Sequence, residues 1–173
     1  MKKFIFALLI SMVCFTQTKA QDMNKRVFDD KSQTDIIVDN CTREGILSCD
    51  FVNDYNAEYP AYKPNATVLD SLKSLLNDIS CVIVLGTWCG DSKEQVPRFY
   101  KISDLLGNPF IAISLIGVDR EKVAPAINVK EKYAIELVPT FIFYRNNTEI
   151  GRIIESPKTS IEQDLLNMVK AKK

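Results

Sequence analysis

The run Thr87-Trp88-Cys89-Gly90-Asp91-Ser92 contains the residue best placed for covalent chemistry, the cysteine at 89. It stands where the apolar run Cys81-Val82-Ile83-Val84-Leu85 gives way to residues 92–106, which carry Val96, Phe99, Tyr100, Leu105 and Leu106 at helical spacing. A helix that starts there presents unpaired N–H groups and the positive end of its dipole to the thiol. Such a site favours the thiolate, which is the nucleophilic form of cysteine. The negative charge of Asp91 opposes the effect. Trp88 adds a flat apolar wall beside the sulfur. The chain of 173 residues has five cysteines and no histidine. That excludes a Ser-His-Asp triad, a Cys-His pair and histidine-ligated zinc or haem, so a nucleophile here must be activated without imidazole.

The elements that must position this thiol can be read from periodicity. Residues 81–85 form a β-branched-rich run that suits a central strand buried on both faces. The helix over 92–106 ends at Gly107-Asn108. Residues 110–118 read as a second buried strand, and a short helix is expected near 129–134. Residues 140–144 and 149–155 are two strands around Arg145-Asn146-Asn147-Thr148, a hairpin signal. Ser160 caps a last helix whose apolar positions are Ile161, Leu165, Leu166 and Val169. Val68, Leu69, Leu72, Leu75 and Leu76 predict an amphipathic helix over 66–77. Before it, residues 21–34 are polar and aperiodic and read as a tether, and residues 35–39 form a short strand. Residues 42–63 read as an irregular, partly helical extension whose aromatics, Phe51, Tyr55, Tyr59 and Tyr62, pack it onto the domain. The expected class is α/β, with a mixed central β-sheet flanked by helices. Two prolines stand out. Pro97 lies inside the helix after Cys89, and Val138-Pro139-Thr140, leading into a strand, is a candidate cis-proline.

The start of the chain reads as an address. Met1-Lys2-Lys3 precedes a twelve-residue apolar run, and Thr18-Lys19-Ala20 supplies small residues at the cleavage positions. This is the layout of a secretory signal peptide cut after Ala20, and the run is shorter than the roughly 20 residues a membrane span needs. The expected division is a signal peptide at 1–20, a tether and extension at 21–65 and a domain at 66–173. Removing residues 1–20 leaves 19 basic and 22 acidic residues, a net charge of −3. That excludes an electrostatically driven nucleic-acid binder and leaves no membrane segment after cleavage. A periplasmic or secreted location permits disulfides among Cys41, Cys49, Cys81 and Cys89.

Trp88-Cys89-Gly90-x-x-Lys93, Pro97 and Val138-Pro139-Thr140-Phe141 with the hairpin after it together resemble the thioredoxin superfamily. The resemblance covers about residues 66–171, and the early extension is most similar to secreted bacterial members. It implies a thioredoxin-like fold, a catalytic Cys89 assisted by Ser92, and a substrate groove formed by Trp88, Gly90, Val138, Pro139 and Thr140. It also implies protein or small-molecule thiols and disulfides as partners, with no cofactor and no metal.

The departures from the family pattern bear on mechanism. The family carries Cys-x-x-Cys, and Ser92 fills the second position. A serine cannot release a mixed disulfide by forming an internal one, though it can donate a hydrogen bond to a thiolate. The family often has a buried carboxylate six residues before the first cysteine, where this chain has Ile83. Cys81 cannot substitute for the missing thiol, because Cys81 to Gly86 alone spans about 17 Å of strand; it reads as a buried core thiol. Cys41 and Cys49 either pair with each other or supply a resolving thiol to Cys89. Two functions follow. One is a single-cysteine thiol-disulfide oxidoreductase suited to isomerisation or deglutathionylation. The other is a non-catalytic module that binds or tethers an extended peptide. Peroxide reduction is disfavoured, because Gly86-Thr87-Trp88 lacks the threonine and arginine placement of peroxidases of this fold. Composition leaves the oligomeric state undefined.

Overall fold

The computed structural model describes residues 23–110 and 112–171. Strands β1 (Lys25–Asp29) and β2 (Thr34–Cys41) come first, followed by helices α1 (Arg43–Ile46), α2 (Phe51–Ala61) and α3 (Ala66–Leu72). Then come β3 (Ile79–Leu85), α4 (Gly90–Leu105), β4 (Ala112–Gly117) and α5 (Val129–Tyr133). The hairpin of β5 (Thr140–Arg145) and β6 (Thr148–Ile154) leads into α6 (Ile161–Ala171). The strands make one sheet in the order β1-β2-β4-β3-β5-β6. β3 and β4 pair in parallel, with α4 as the crossover such a pair requires. The other neighbouring pairs are antiparallel.

Side chains alternate along a strand, so a central strand feeds two cores. On β3, Cys81, Ile83 and Leu85 face a layer built by α2, α3, α4 and α6. Val82 and Val84 face the other layer, which holds Ile116, Val129, Ile135, Val138 and Ile142. This is the expected thioredoxin-like arrangement of a mixed sheet covered on both faces. Phe99 of α4 anchors the first layer, with no exposed surface and ring centroids 5.5 Å from Phe110 and 5.4 Å from Phe141. At the hairpin, Asn146 and Asn147 both take positive φ, 50° and 61°. That is the requirement of a two-residue turn matched to strand twist, and asparagine tolerates it.

Several boundaries differ from expectation. The stretch read as a tether contains β1, which pairs with β2 from Lys25↔Val38 to Asp29↔Thr34. Its first four residues are exposed and only Asp29 is buried, so it carries no apolar alternation to read. β1 and β2 therefore belong to the same sheet as the rest of the fold. The partly helical extension contains a full eleven-residue helix, α2. Phe51 and Tyr55 are buried in the first layer, as expected of the aromatics. Ion pairs clamp this segment to α4: Asp54–Lys93 at 2.9 Å, Glu58–Arg98 at 2.9 Å and Arg43–Asp104 at 2.8 Å. The Arg43 guanidinium also lies 4.4 Å from the Tyr100 ring centroid. α3 ends at Leu72, earlier than the periodicity suggests. Two backbone turns, Leu75 N–H to Leu72 O at 2.8 Å and Ile79 N–H to Leu76 O at 3.0 Å, carry Leu76 into the core instead. Residues 1–20, read as an address, lie outside the described residues. Among the described residues no helix is long and apolar enough to cross a membrane.

Candidate functional site

Cys89 is the N-cap residue of α4, with extended backbone at φ −88° and ψ 128°. Its N–H donates to Gly86 O at 2.9 Å, and its carbonyl accepts from Lys93 N–H at 3.0 Å. These bonds lock the strand-to-helix turn and leave the thiol at the helix N-terminus, half-buried. The Val138–Pro139 peptide bond is cis. Its loop brings the Val138 carbonyl to 3.2 Å from Cys89 Sγ, which donates to it. The sequence separated these residues by 49 positions, and the fold joins them.

Ser92 is fully buried. Its hydroxyl oxygen accepts the Gly86 N–H at 3.2 Å, so it ties the end of β3 to the first turn of α4. Gly90 is exposed, and a Cβ there would meet nothing within 4 Å, so the helix start has open space beside it. Val138, Pro139 and Thr140 are buried. The Thr140 hydroxyl donates to Leu137 O at 2.7 Å, and Pro139 O accepts from Glu155 N–H at 2.7 Å. The carbonyls of Leu137, Val138 and Pro139 are thus all engaged by neighbouring donors. Leu137, just before it, is 42% exposed and supplies an apolar surface that no motif had singled out.

Trp88 lies over Gly86, where a Cβ would come within 2.6 Å of the indole. The indole N–H donates to Val118 O at 2.9 Å. The Arg120 guanidinium carbon sits 4.9 Å from the Trp88 ring centroid. Arg120 is in turn held by Asp29 of β1, accepting from Nη2 at 2.7 Å and Nε at 2.9 Å. This guanidinium, together with the Ser32 hydroxyl and N–H, holds the Asp29 carboxyl well below the usual carboxylate range. Neither Asp29 nor Arg120 was legible as a site residue, because 91 positions separate them and neither belongs to a local pattern.

Ile83, at the place of the family's carboxylate, is fully buried in the first layer. The other buried acids are occupied elsewhere. Asp39 accepts from Ala126 N–H at 2.6 Å, Glu162 from the Tyr62 hydroxyl at 2.7 Å, and Asp164 from Lys158 N–H at 2.6 Å.

The described cysteines are all free thiols. Cys41 pairs with Leu115, and Leu115 pairs with Ile83. Two strand spacings, about 10 Å, therefore separate Cys41 from Ile83 before the six residues to Cys89 are counted. A disulfide needs Cα atoms within roughly 7 Å. Cys41 and Cys49 both sit with the first layer, whereas Cys89 packs against the second. The resolving role entertained for Cys41 and Cys49 thus does not fit this arrangement, since the sheet stands between them and Cys89. The two do lie close enough together for charge on one to raise the other, and burial pushes Cys41 up to about 12. Burial likewise raises Cys81. Among the described residues, no group of three or more cysteines, aspartates or glutamates is placed to hold a metal ion.

A family model described as thioredoxin matches residues 66–170. Thioredoxin-2 of Dictyostelium discoideum is 38% identical over 66 residues, covering 38% of this chain and 67% of the relative. Thioredoxin of Coprinus comatus is 28% identical over 96 residues, covering 54% of this chain and 86% of the relative. Among solved structures, a protein of unknown function from Pseudomonas aeruginosa superposes with a TM-score of 0.52 at 13% identity, covering 71% of this chain and 83% of that one. That likeness concerns the fold alone.

Proposed function

This chain belongs to the thioredoxin family, and on that premise we propose that it is a thiol-disulfide oxidoreductase of single-cysteine type that acts outside the cytoplasm. The observation that carries the reading is the half-buried Cys89 thiol at the start of α4, 3.2 Å from the backbone carbonyl beside the cis Val138–Pro139 bond, with a buried serine three residues on. In the proposed cycle the Cys89 thiolate attacks one sulfur of a substrate disulfide. The substrate S–S bond breaks, the second sulfur leaves as a thiolate that takes up a proton, and a mixed disulfide remains on Cys89. Ser92 cannot displace it. A second thiolate, from an external thiol or from the same substrate, attacks the mixed disulfide and returns the Cys89 thiolate. No electrons accumulate on the protein, which suits isomerisation or removal of a small thiol from a protein. The open surface at Gly90 and the loop of Val138 and Pro139 line the groove for an extended partner, and no cofactor takes part in this cycle. Export rests on residues 1–20 and is tested by an intact mass beginning at Gln21.

Cys89→Ala tests the chemistry. In an assay with a glutathionylated peptide and excess glutathione, the variant is expected to lose exchange to the uncatalysed rate, and wild type to form a trappable mixed disulfide. Equal turnover by both proteins refutes the reading. Peptide binding without exchange in either protein favours a non-catalytic binding module, the alternative that Ser92 and Ile83 suggest.

A further inference from the structure

We propose that Asp29 and Arg120 are positioning residues that hold Trp88 beside the reactive thiol, which makes the N-terminal strand β1 a working part of the site. The proposal rests on Cys89 being the reactive residue. β1 is built the wrong way round for a strand that merely adds to a core. Val27 and Phe28 are exposed, at 38% and 56%, while the residue it buries is the charged Asp29. An acid is buried only where its charge is met, and here the charged partner is Arg120, which lies against Trp88. Asp29 accepts from Arg120 Nη2 at 2.7 Å and from Nε at 2.9 and 3.1 Å to its two oxygens. It also accepts from Ser32 N–H at 3.0 Å and from the Ser32 hydroxyl. With its N–H groups held by this fork, Arg120 places its guanidinium carbon over the Trp88 ring, 4.9 Å from the centroid. An aromatic face attracts a cation placed in this way.

The grip on the indole is double. Arg120 covers its face, and Val118, two residues earlier, takes its N–H at 2.9 Å. Val118 is itself anchored, donating its N–H to Leu85 O at 2.9 Å at the end of β3. The segment 118–120 and β1 thus fix an aromatic side chain whose neighbour in sequence is the nucleophile. The Arg120 charge is also within electrostatic range of Cys89. With the pair intact, the wall beside the sulfur is held on two sides and a substrate disulfide meets a preset groove.

Trp88 is the single tryptophan of the chain, so its fluorescence reports this contact directly. In the full chain, Asp29→Asn and Arg120→Met are expected to raise acrylamide quenching of Trp88 at least twofold and to slow Cys89-dependent exchange at least threefold. Arg26→Gln serves as the control. It removes the Arg26–Asp35 ion pair at 3.9 Å and the bonds from Arg26 to Ser48 at 2.7 and 2.8 Å. It weakens the docking of β1 without touching Trp88, and both readouts are expected to stay at the wild-type level. If Asp29→Asn fails to fold, Arg120→Lys is read the same way, since it keeps the charge and loses the paired N–H edge. Unchanged quenching in the Asp29 and Arg120 variants, or equal changes in Arg26→Gln, overturns the proposal even where exchange proceeds. Absent exchange in wild type together with the expected quenching pattern overturns the catalytic reading of Cys89 and leaves the Trp88 contact standing.

Discussion

Replacing Ser92 by cysteine would give the site the second thiol that the family pattern carries, and the structure sets the size of the effect. The Ser92 oxygen takes the buried Gly86 N–H at 3.2 Å. A thiol is a poor acceptor, and an unmet buried donor costs about 1–3 kcal/mol. Reduced Ser92→Cys should therefore be less stable than wild type by about that amount. Oxidation closes a four-residue loop from 89 to 92. The loop-closure relation gives roughly 6 cal/mol/K for it, or about 2 kcal/mol at 25 °C. The oxidised variant should thus recover most of the loss. Urea unfolding with and without reductant measures both quantities, and intact mass reports the loss of two hydrogens. In activity, the variant should reduce a peptide disulfide with dithiothreitol as donor and accumulate little mixed disulfide, whereas wild type accumulates it. A variant that forms no internal disulfide under oxidant would show that positions 89 and 92 do not face each other. A reduced variant as stable as wild type would show that the Ser92–Gly86 bond contributes nothing.

Two further outcomes follow from burial. Brief alkylation at pH 8 followed by peptide mapping should label Cys89 and Cys49, which are partly exposed, and spare Cys41 and Cys81, which are buried. Burial raises the Cys41 thiol from its ordinary value of 9.0 to about 12. The folded state then holds that proton more tightly than the unfolded state, so the stability linked to it is present below about pH 9 and is lost as pH rises toward about 12. Cys41→Ala should flatten the alkaline fall in unfolding free energy across that window, and an unchanged slope would count against burial as the cause. Phe99→Ala removes a fully buried ring packed on Phe110 and Phe141, for which a loss of about 3–5 kcal/mol is expected. A loss below about 1 kcal/mol in urea unfolding would mean that the first layer closes over the gap.

Features that depend on neighbours along the chain could be read from the residues alone. A buried strand running into an amphipathic helix placed Cys89 at a helix start, because both periodicities are local. Asn146-Asn147 marked the hairpin, because only a few residue types tolerate two successive positive φ values. Val138-Pro139 was a candidate cis bond because the proline leads into a strand after a residue biased to extended geometry. The alternation of strands and helices then gave the α/β class. Features that depend on partners far along the chain emerged only from the packed fold. It set Val138 O against the Cys89 sulfur across 49 positions and Asp29 against Arg120 across 91. It turned a polar stretch into β1, which is held by main-chain pairing and one buried acid and so has no hydrophobic period to read. It also put Cys41 and Cys89 with opposite layers of one sheet, and so closed a route between two thiols that spacing alone had left open. A covalent step needs its atoms within a few ångströms, and contacts of that kind between distant residues arise from packing, which no local pattern encodes.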